Sequence, residues 1–233
     1  MNVKRKVSII VPAFNEQATI AESVRRLLEV DFGDVETEVL IVDDASTDQT
    51  AEIASHLGGH VRLICQESNH GKGAAIRRAL KEATGSVVVI HDADLEYVAA
   101  DIPTLVEPIL SGQTNAVFGN RFANTKLPPG MQFKNLVANR ILAITANVLF
   151  GGRLADEATC YKAVRTDVLR GMNLRCERFE FCPEVTAKLL RSGEKILEVP
   201  VHYHARTVAE GKKIHWYDGL EAIWTLLKYR FIR

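Results

Sequence analysis

The chain has 233 residues, 47% hydrophobic and 25% charged, which allows one large domain or two small ones and excludes a disordered chain. Lys+Arg and Asp+Glu both number 29, so the formal net charge is +0 and a dedicated nucleic-acid binder is disfavoured. The longest apolar runs, Val87–Ile90 and Ile141–Ile144, fall far short of the ~20 residues that span a bilayer.

In chain order, the first half alternates. Val7–Val11 is a buried-strand run, and Gln17–Glu29 has helical spacing through Ile20, Val24, Leu27 and Leu28. Glu38–Val42 predicts a second strand and Thr47–Leu57 a helix. Val61–Gln66 predicts a third strand and Lys72–Ala83 a third helix. Val87–Ile90 is a fourth strand, Asp101–Leu110 a helix and Ala116–Gly119 a fifth strand. Strands of near-continuous Val, Ile and Leu between amphipathic helices read as a mainly parallel sheet covered on both faces and doubly wound by right-handed crossovers.

After Arg121 the pattern changes. Ala123–Gly130 holds Asn124, Pro128 and Pro129 and reads as a loop. Phe133–Phe150 predicts a long apolar helix, Thr159–Val164 a short strand, Pro183–Arg191 a helix, Lys195–His204 an extended segment and Trp216–Phe231 a helix. No linker divides residues 1–233, so one α/β domain with a C-terminal helical elaboration is expected. Met1–Lys6 is basic, but the apolar stretch after it, Val7–Val11, is too short for a secretory signal. Cys65, Cys160, Cys176 and Cys182 show no Cys-x-x-Cys spacing, which predicts a reduced protein without a structural zinc site.

In open α/β sheets ligands bind beyond the carboxyl ends of the strands, and the unusual polar residues cluster there. The first strand runs into Pro12-Ala-Phe-Asn-Glu16, the second into Asp43-Asp44-Ala-Ser46, and the fourth into His91-Asp92-Ala-Asp94-Leu-Glu96. An Asp-x-Asp pair alone is more often two solvated loop aspartates. At a strand end beside two other acidic strand ends, Asp92 and Asp94 point instead to a hard divalent cation, Mg²⁺ or Mn²⁺, which relieves their repulsion. Asp44 is suited to hydrogen-bonding a nucleobase or ribose, while Ser46 or Thr47 is expected to cap the next helix. Pro12–Gln17 contains no glycine, against a dinucleotide fingerprint. His70-Gly-Lys-Gly73 fits a flexible turn opening a helix as well as it fits a phosphate contact.

These residues resemble a known family. Val7-Ser-Ile-Ile-Val-Pro-Ala-Phe-Asn-Glu16, Ile41-Val-Asp-Asp-Ala-Ser-Thr-Asp48, Asn69-His-Gly-Lys-Gly73 and Asp92-Ala-Asp-Leu-Glu96 are similar to the signatures of family 2 glycosyltransferases of GT-A fold. Phe118-Gly-Asn-Arg-Phe122, Ala158-Thr-Cys-Tyr-Lys162, Glu198-Val-Pro200 and Tyr203-His-Ala-Arg206 with Gly211-Lys-Lys213 resemble the branch of dolichol-phosphate mannose synthases and related polyprenyl-phosphate hexosyltransferases.

The resemblance implies a nucleotide-sugar-binding half, residues 1–122, and an acceptor-binding half, residues 123–233. Pro12, Phe14, Glu16 and Asp44 would surround the nucleoside. Asp92 and Asp94 would meet the metal and diphosphate, with Glu96 as a third ligand where relatives often carry Gln. Arg121 and Arg206 would face phosphate groups, with Lys212 or Lys213 assisting from a lid. Lys134 and Asn135 stand where that branch carries a polar, basic helix start. Glu180 stands where those synthases can carry a basic residue. His202 and His204 alternate on one strand face and read as structural or solvent-facing.

The implied reaction is inverting transfer of a hexose from a nucleoside-diphosphate sugar to a lipid phosphate. A phosphate acceptor is already ionised and needs no base; an alcohol acceptor needs one, and Glu184 is then the candidate. A polyprenyl acceptor requires contact with the cytoplasmic face of a membrane, through Phe133–Phe150, through the amphipathic Trp216–Arg233, or through a membrane-anchored partner. The competing readings are a soluble transferase acting on a sugar hydroxyl and a nucleotide-sugar-binding subunit without catalysis.

Overall fold

Buried Val, Ile and Leu build the centre of the molecule, seen in a computed structural model that describes residues 5–206 and 216–232. Seven strands among the described residues form one sheet in the order β3-β2-β1-β4-β6-β5-β7. They are β1 (Lys6–Ala13), β2 (Glu36–Asp43), β3 (Val61–Cys65), β4 (Val87–Ile90), β5 (Ala116–Asn120), β6 (Lys162–Arg165) and β7 (Ile196–Pro200). The helices are α1 (Ile20–Leu28), α2 (Thr50–Ser55), α3 (Lys72–Glu82), α4 (Ile102–Leu110), α5 (Phe133–Phe150), α6 (Thr166–Gly171), α7 (Phe181–Arg191) and α8 (Trp216–Phe231).

Side chains alternate across a strand, so β1 feeds two layers. Val7, Ile9 and Val11 pack with Ile20, Val24 and Leu27 of α1 and with Ile102, Leu105 and Ile109 of α4. Ile10 packs on the other face with Ala75, Ile76 and Ala79 of α3 and with Phe181, Val185 and Leu189 of α7. A third cluster, Leu142, Ala146, Ala187, Leu226 and Tyr229, joins α5, α7 and α8. The register sets Ala13 opposite Asp43 and Ile10 opposite Ile90, which brings the ends of β1, β2 and β4 to one edge.

The expected parallel sheet is present with one exception. β6 runs antiparallel to both β4 and β5, and it begins at Lys162 rather than Thr159. The short helix α6 follows it directly, unannounced by any periodic run. α1 begins at Ile20, not Gln17, because the Glu16 carbonyl is taken by the Thr19 and Ile20 N–H groups of a tight turn. The capping expectation also needs correction. Ser46 Oγ accepts the Asn15 N–H at 2.9 Å and the Thr47 N–H goes to Asn15 Oδ1 at 2.8 Å, while Asp48 Oδ1 accepts the Thr50 N–H at 2.9 Å. The loops after β1 and β2 are therefore tied to each other.

At the opposite end of the strands, Glu38 ties β1 and β2 to the turn before β4. Burial works against its charge, but the Ser8 hydroxyl, the Thr84 N–H and Lys6 outweigh it and hold the carboxyl down to about 2. A carboxylate with a depressed folded pKa stabilises fully above its unfolded value and loses that contribution as pH falls toward the folded one. Glu38→Gln is therefore expected to lower the urea midpoint at neutral pH. Its cost should shrink below about pH 4, as paired urea melts at the two pH values will read.

Candidate active site

Beyond the carboxyl ends of β1, β2 and β4 lies a cavity of about 310 Å³. Pro12, Phe14, Glu16, Asp44, Asp92, Asp94, Glu96 and Arg206 all line it, so the structure brings these expected residues together. Asn15, Ala45 and Leu95, one in each of the three loops at this edge, have φ of 50°, 56° and 62°. Left-handed backbone at non-glycine residues costs energy and concentrates at functional sites.

Asp44 is buried, and its carboxylate accepts the His70 N–H at 2.9 Å, the Gly71 N–H at 2.6 Å and Gln66 Nε2 at 2.5 Å. It thereby holds the turn that starts α3. At Gly71 φ is +95°, and a Cβ there would sit 2.6 Å from the Glu177 carbonyl oxygen. The Glu177 and Arg178 carbonyls in turn accept the Ala74 and Gly73 N–H groups of the first α3 turn, and Glu180 caps the 177–178 turn. Gly71→Ala is expected to cost about 2 kcal/mol of stability from backbone strain and displacement of this loop, measured by thermal unfolding.

The turn delivers a residue that the sequence left undecided. Lys72 Nζ donates to Asp92 Oδ2 at 2.7 Å and to Cys160 Sγ at 3.1 Å. Burial raises the Asp92 pKa, but the Lys72 charge more than reverses this and keeps the carboxyl below its usual range. Asp94 goes the other way: burial, then the charges of Asp92 and Glu96, push it up to about 7 despite Arg206 at 3.1 Å. Arg206 also reaches Glu16 Oε2 at 3.2 Å. His91, pushed down to about 4 by burial, is neutral; Ser23 Oγ at 3.1 Å and Tyr161 Oη at 2.8 Å fix it beneath the Asp-x-Asp loop.

Glu96, the expected third ligand, is held by other partners. Its carboxylate accepts the Tyr203 hydroxyl at 2.7 Å and the Arg206 N–H at 2.8 Å. Among the described residues no group of three or more His, Cys, Asp or Glu side chains is arranged to hold a metal ion. Five carboxylates, Glu16, Asp44, Asp92, Asp94 and Glu96, line this cavity against three cations, Lys72, Arg178 and Arg206. The surplus of negative charge and the hard oxygen donors fit Mg²⁺ or Mn²⁺, which bind through one or two carboxylates plus phosphate oxygens and water.

A second cavity, of about 380 Å³, adjoins the first and shares Lys72, Glu96, Cys160 and Phe179 with it. Its walls are largely apolar, with Met131, Leu142, Phe181, Pro183 and Ala222 between α5, α7 and α8. Arg121, Lys134 and Asn135 line it, apart from the first cavity. Arg121 is not a surface group: Nε and Nη2 form a bidentate pair with the fully buried Asp156 at 2.8 and 2.7 Å, and its guanidinium lies 5.0 Å from the Tyr203 ring centre. Glu198 of β7 accepts the Ala155 and Asp156 N–H groups and fixes that partner in turn.

Glu184 is the candidate base for an alcohol acceptor. It is fully buried and lines neither cavity. Its carboxylate accepts the Arg175 and Cys176 N–H groups, Lys188 Nζ and the Tyr229 hydroxyl, and so ties α8 to α7. His202 pairs with Asp101 at 2.9 Å and is largely exposed. Lys212 and Lys213 lie outside the described residues.

The sequence profile of glycosyl transferase family 2 matches residues 8–172. Dolichol-phosphate mannosyltransferase of Pyrococcus furiosus is 32% identical over 238 residues, covering 96% of this chain and 64% of that protein. Glycosyltransferase AglJ of Haloferax volcanii is 31% identical over 86% of this chain and 63% of its own length. An undecaprenyl-phosphate 4-deoxy-4-formamido-L-arabinose transferase of Enterobacter sp. is 30% identical over 89% of this chain and 62% of its own length. The chain thus spans a little under two thirds of the length of these relatives. Among solved structures, glucosyl-3-phosphoglycerate synthase of Mycobacterium tuberculosis superposes with a TM-score of 0.75 at 25% identity, covering 98% of this chain and 82% of that one. The same synthase in complex with Mn²⁺, uridine diphosphate and phosphoglyceric acid gives 0.73 at 24% identity, covering 98% and 80%. The chain has the GT-A fold of these transferases. It belongs to glycosyl transferase family 2.

Proposed function

We propose that the chain transfers a hexose, mannose or glucose, with inversion from a nucleoside-diphosphate sugar to a polyprenyl phosphate at the cytoplasmic face of a membrane. The observation that carries this reading is the pair of joined cavities: an acidic one at the strand ends and a mainly apolar one bearing a buried arginine. The names of the relatives, which include transferases acting with dolichol phosphate and undecaprenyl phosphate, support the same acceptor class.

In this reading Pro12, Phe14, Glu16 and Asp44 hold the nucleoside, and Asp92 and Asp94 hold Mg²⁺ or Mn²⁺. The metal, when bound, supplies Lewis-acid stabilisation of the diphosphate oxygens. Lys72 and Arg206 neutralise charge gathering on the departing nucleoside diphosphate. Arg121, locked by Asp156, presents a fixed cation to the acceptor phosphate, aided by Lys134 and Asn135. The acceptor oxygen is already ionised, so no base is needed, in keeping with the structural placement of Glu184. The test is a transfer assay with the purified chain, labelled UDP- or GDP-hexose, Mn²⁺ or Mg²⁺, and a polyprenyl phosphate in detergent. Labelled sugar in the lipid fraction supports the reading; transfer to sugar hydroxyls alone overturns it.

Among the described residues no helix is long and apolar enough to cross a membrane. α5 instead exposes Phe133, Val137, Ile141, Ile144 and Val148 at helical spacing, and α8 exposes Leu220, Trp224 and Phe231. The second cavity lies between these two helices. Placing this face on the bilayer gives a prenyl chain a short route to Arg121. Val148→Asp combined with Trp224→Asp is expected to reduce co-sedimentation with anionic vesicles several-fold while leaving the melting temperature unchanged.

A further inference from the structure

Cys160 and Cys182 meet where the two cavities join. Cys160 precedes β6 and lines both cavities, and Cys182 lies in the first turn of α7 and lines the second. Each thiol is the other's foremost electrostatic neighbour. Independent geometry agrees: Cys182 Sγ lies 3.5 Å from the carbonyl oxygen of Thr159, the residue just before Cys160. Both cysteines are partly exposed, whereas Cys176 is buried and Cys65 lies on the surface. Two neighbouring thiols therefore border the second cavity.

We propose that Cys160 and Cys182 are a reversible oxidation site that a hydroperoxide converts to an intramolecular disulfide. The sulfur of Cys182 attacks a peroxide oxygen; an S–O bond forms, the O–O bond breaks, and the thiol proton leaves with the displaced oxygen as water or alcohol. Cys160 sulfur then attacks the resulting sulfenic acid; the S–S bond forms, the S–O bond breaks, and the Cys160 proton leaves in a water molecule. The peroxide gains two electrons and the thiols lose two. An S–S bond of about 2 Å requires these two neighbouring side chains to approach each other. The bond ties the segment before β6 to α7 and engages the Cys160 sulfur, to which Lys72 now donates at 3.1 Å. The wall shared by both cavities is thereby altered.

The test is mass spectrometry of the wild-type protein and needs no assumption about donor or acceptor. The chain is treated with hydrogen peroxide, free thiols are alkylated, and the digest is mapped with and without dithiothreitol. The expected result is a peptide pair linked through Cys160 and Cys182 in most molecules, two hydrogens lighter than the reduced pair and abolished by dithiothreitol. Cys182→Ser should lose the linked species and leave Cys160 alkylatable. Recovery of both cysteines as fully alkylated thiols after Cys65 has been oxidised overturns the proposal. So does a map in which the linkages run only through Cys65 or Cys176.

Discussion

Asp92→Asn combined with Asp94→Asn is expected to lower the rate of sugar transfer by about a thousandfold or more, equivalent to roughly 4 kcal/mol of lost transition-state stabilisation. Both side chains come from the loop after β4, held from below by the neutral His91. Amides retain their size but carry no charge, so in the proposed reaction the metal would lose its carboxylate ligands, and Lys72 would lose its counter-ion. The single variants separate these effects. Asp92→Asn leaves the Lys72 ammonium partly buried without its partner at 2.5 Å, and should lower both melting temperature and turnover. Asp94→Asn removes a carboxylate that repels Asp92 and Glu96, so turnover should fall while the melting temperature stays near wild type. Steady-state kinetics beside thermal unfolding reads both. An undiminished double variant would show that these carboxylates do not serve the reaction.

Arg121→Met is expected to destabilise the fold by about 3–5 kcal/mol, because it leaves the fully buried Asp156 without its bidentate partner. For a chain of this size that corresponds to a fall of roughly 10 °C in melting temperature. Adding Asp156→Leu should recover part of the loss, since replacing both members of a buried pair costs less than stranding one. Arg121→Lys should fare little better than Met in stability, because an ammonium cannot reproduce the two parallel bonds of a guanidinium. Thermal unfolding of the three variants measures each. A melting temperature unchanged in Arg121→Met would mean that Asp156 finds another partner.

The strand runs of β1, β2 and β4 were legible because Val and Ile carry a parallel sheet openly, and with them came the edge where Glu16, Asp44, Asp92 and Asp94 gather. The parts that were not legible depend on partners distant in sequence. Lys72 between two glycines looks like a turn lysine until Asp92, twenty residues on, is seen against it. Asp156 meets Arg121 across an intervening helix, and no local pattern announces it. β6 hides for another reason. It is short, and its first residue is a lysine, a type rarely buried. Here that lysine is 1% exposed, with Nζ 3.5 Å above the Phe118 ring and bonded to the Glu157 carbonyl. Glu184 misleads in the opposite sense: a glutamate in the first turn of α7 reads as available, yet Tyr229 and two backbone amides consume it.

The reversed strand β6 also dictates an order of assembly. β3, β2, β1 and β4 can pair as soon as residue 90 has been made, but both neighbours of β5 come later in the chain. As the polypeptide leaves the ribosome, Ala116–Asn120 therefore waits unpaired until residues 162–165 and 196–200 emerge. A fragment stopped between β5 and β6 would carry bare backbone on β4 and on β5, and would be prone to self-association during synthesis.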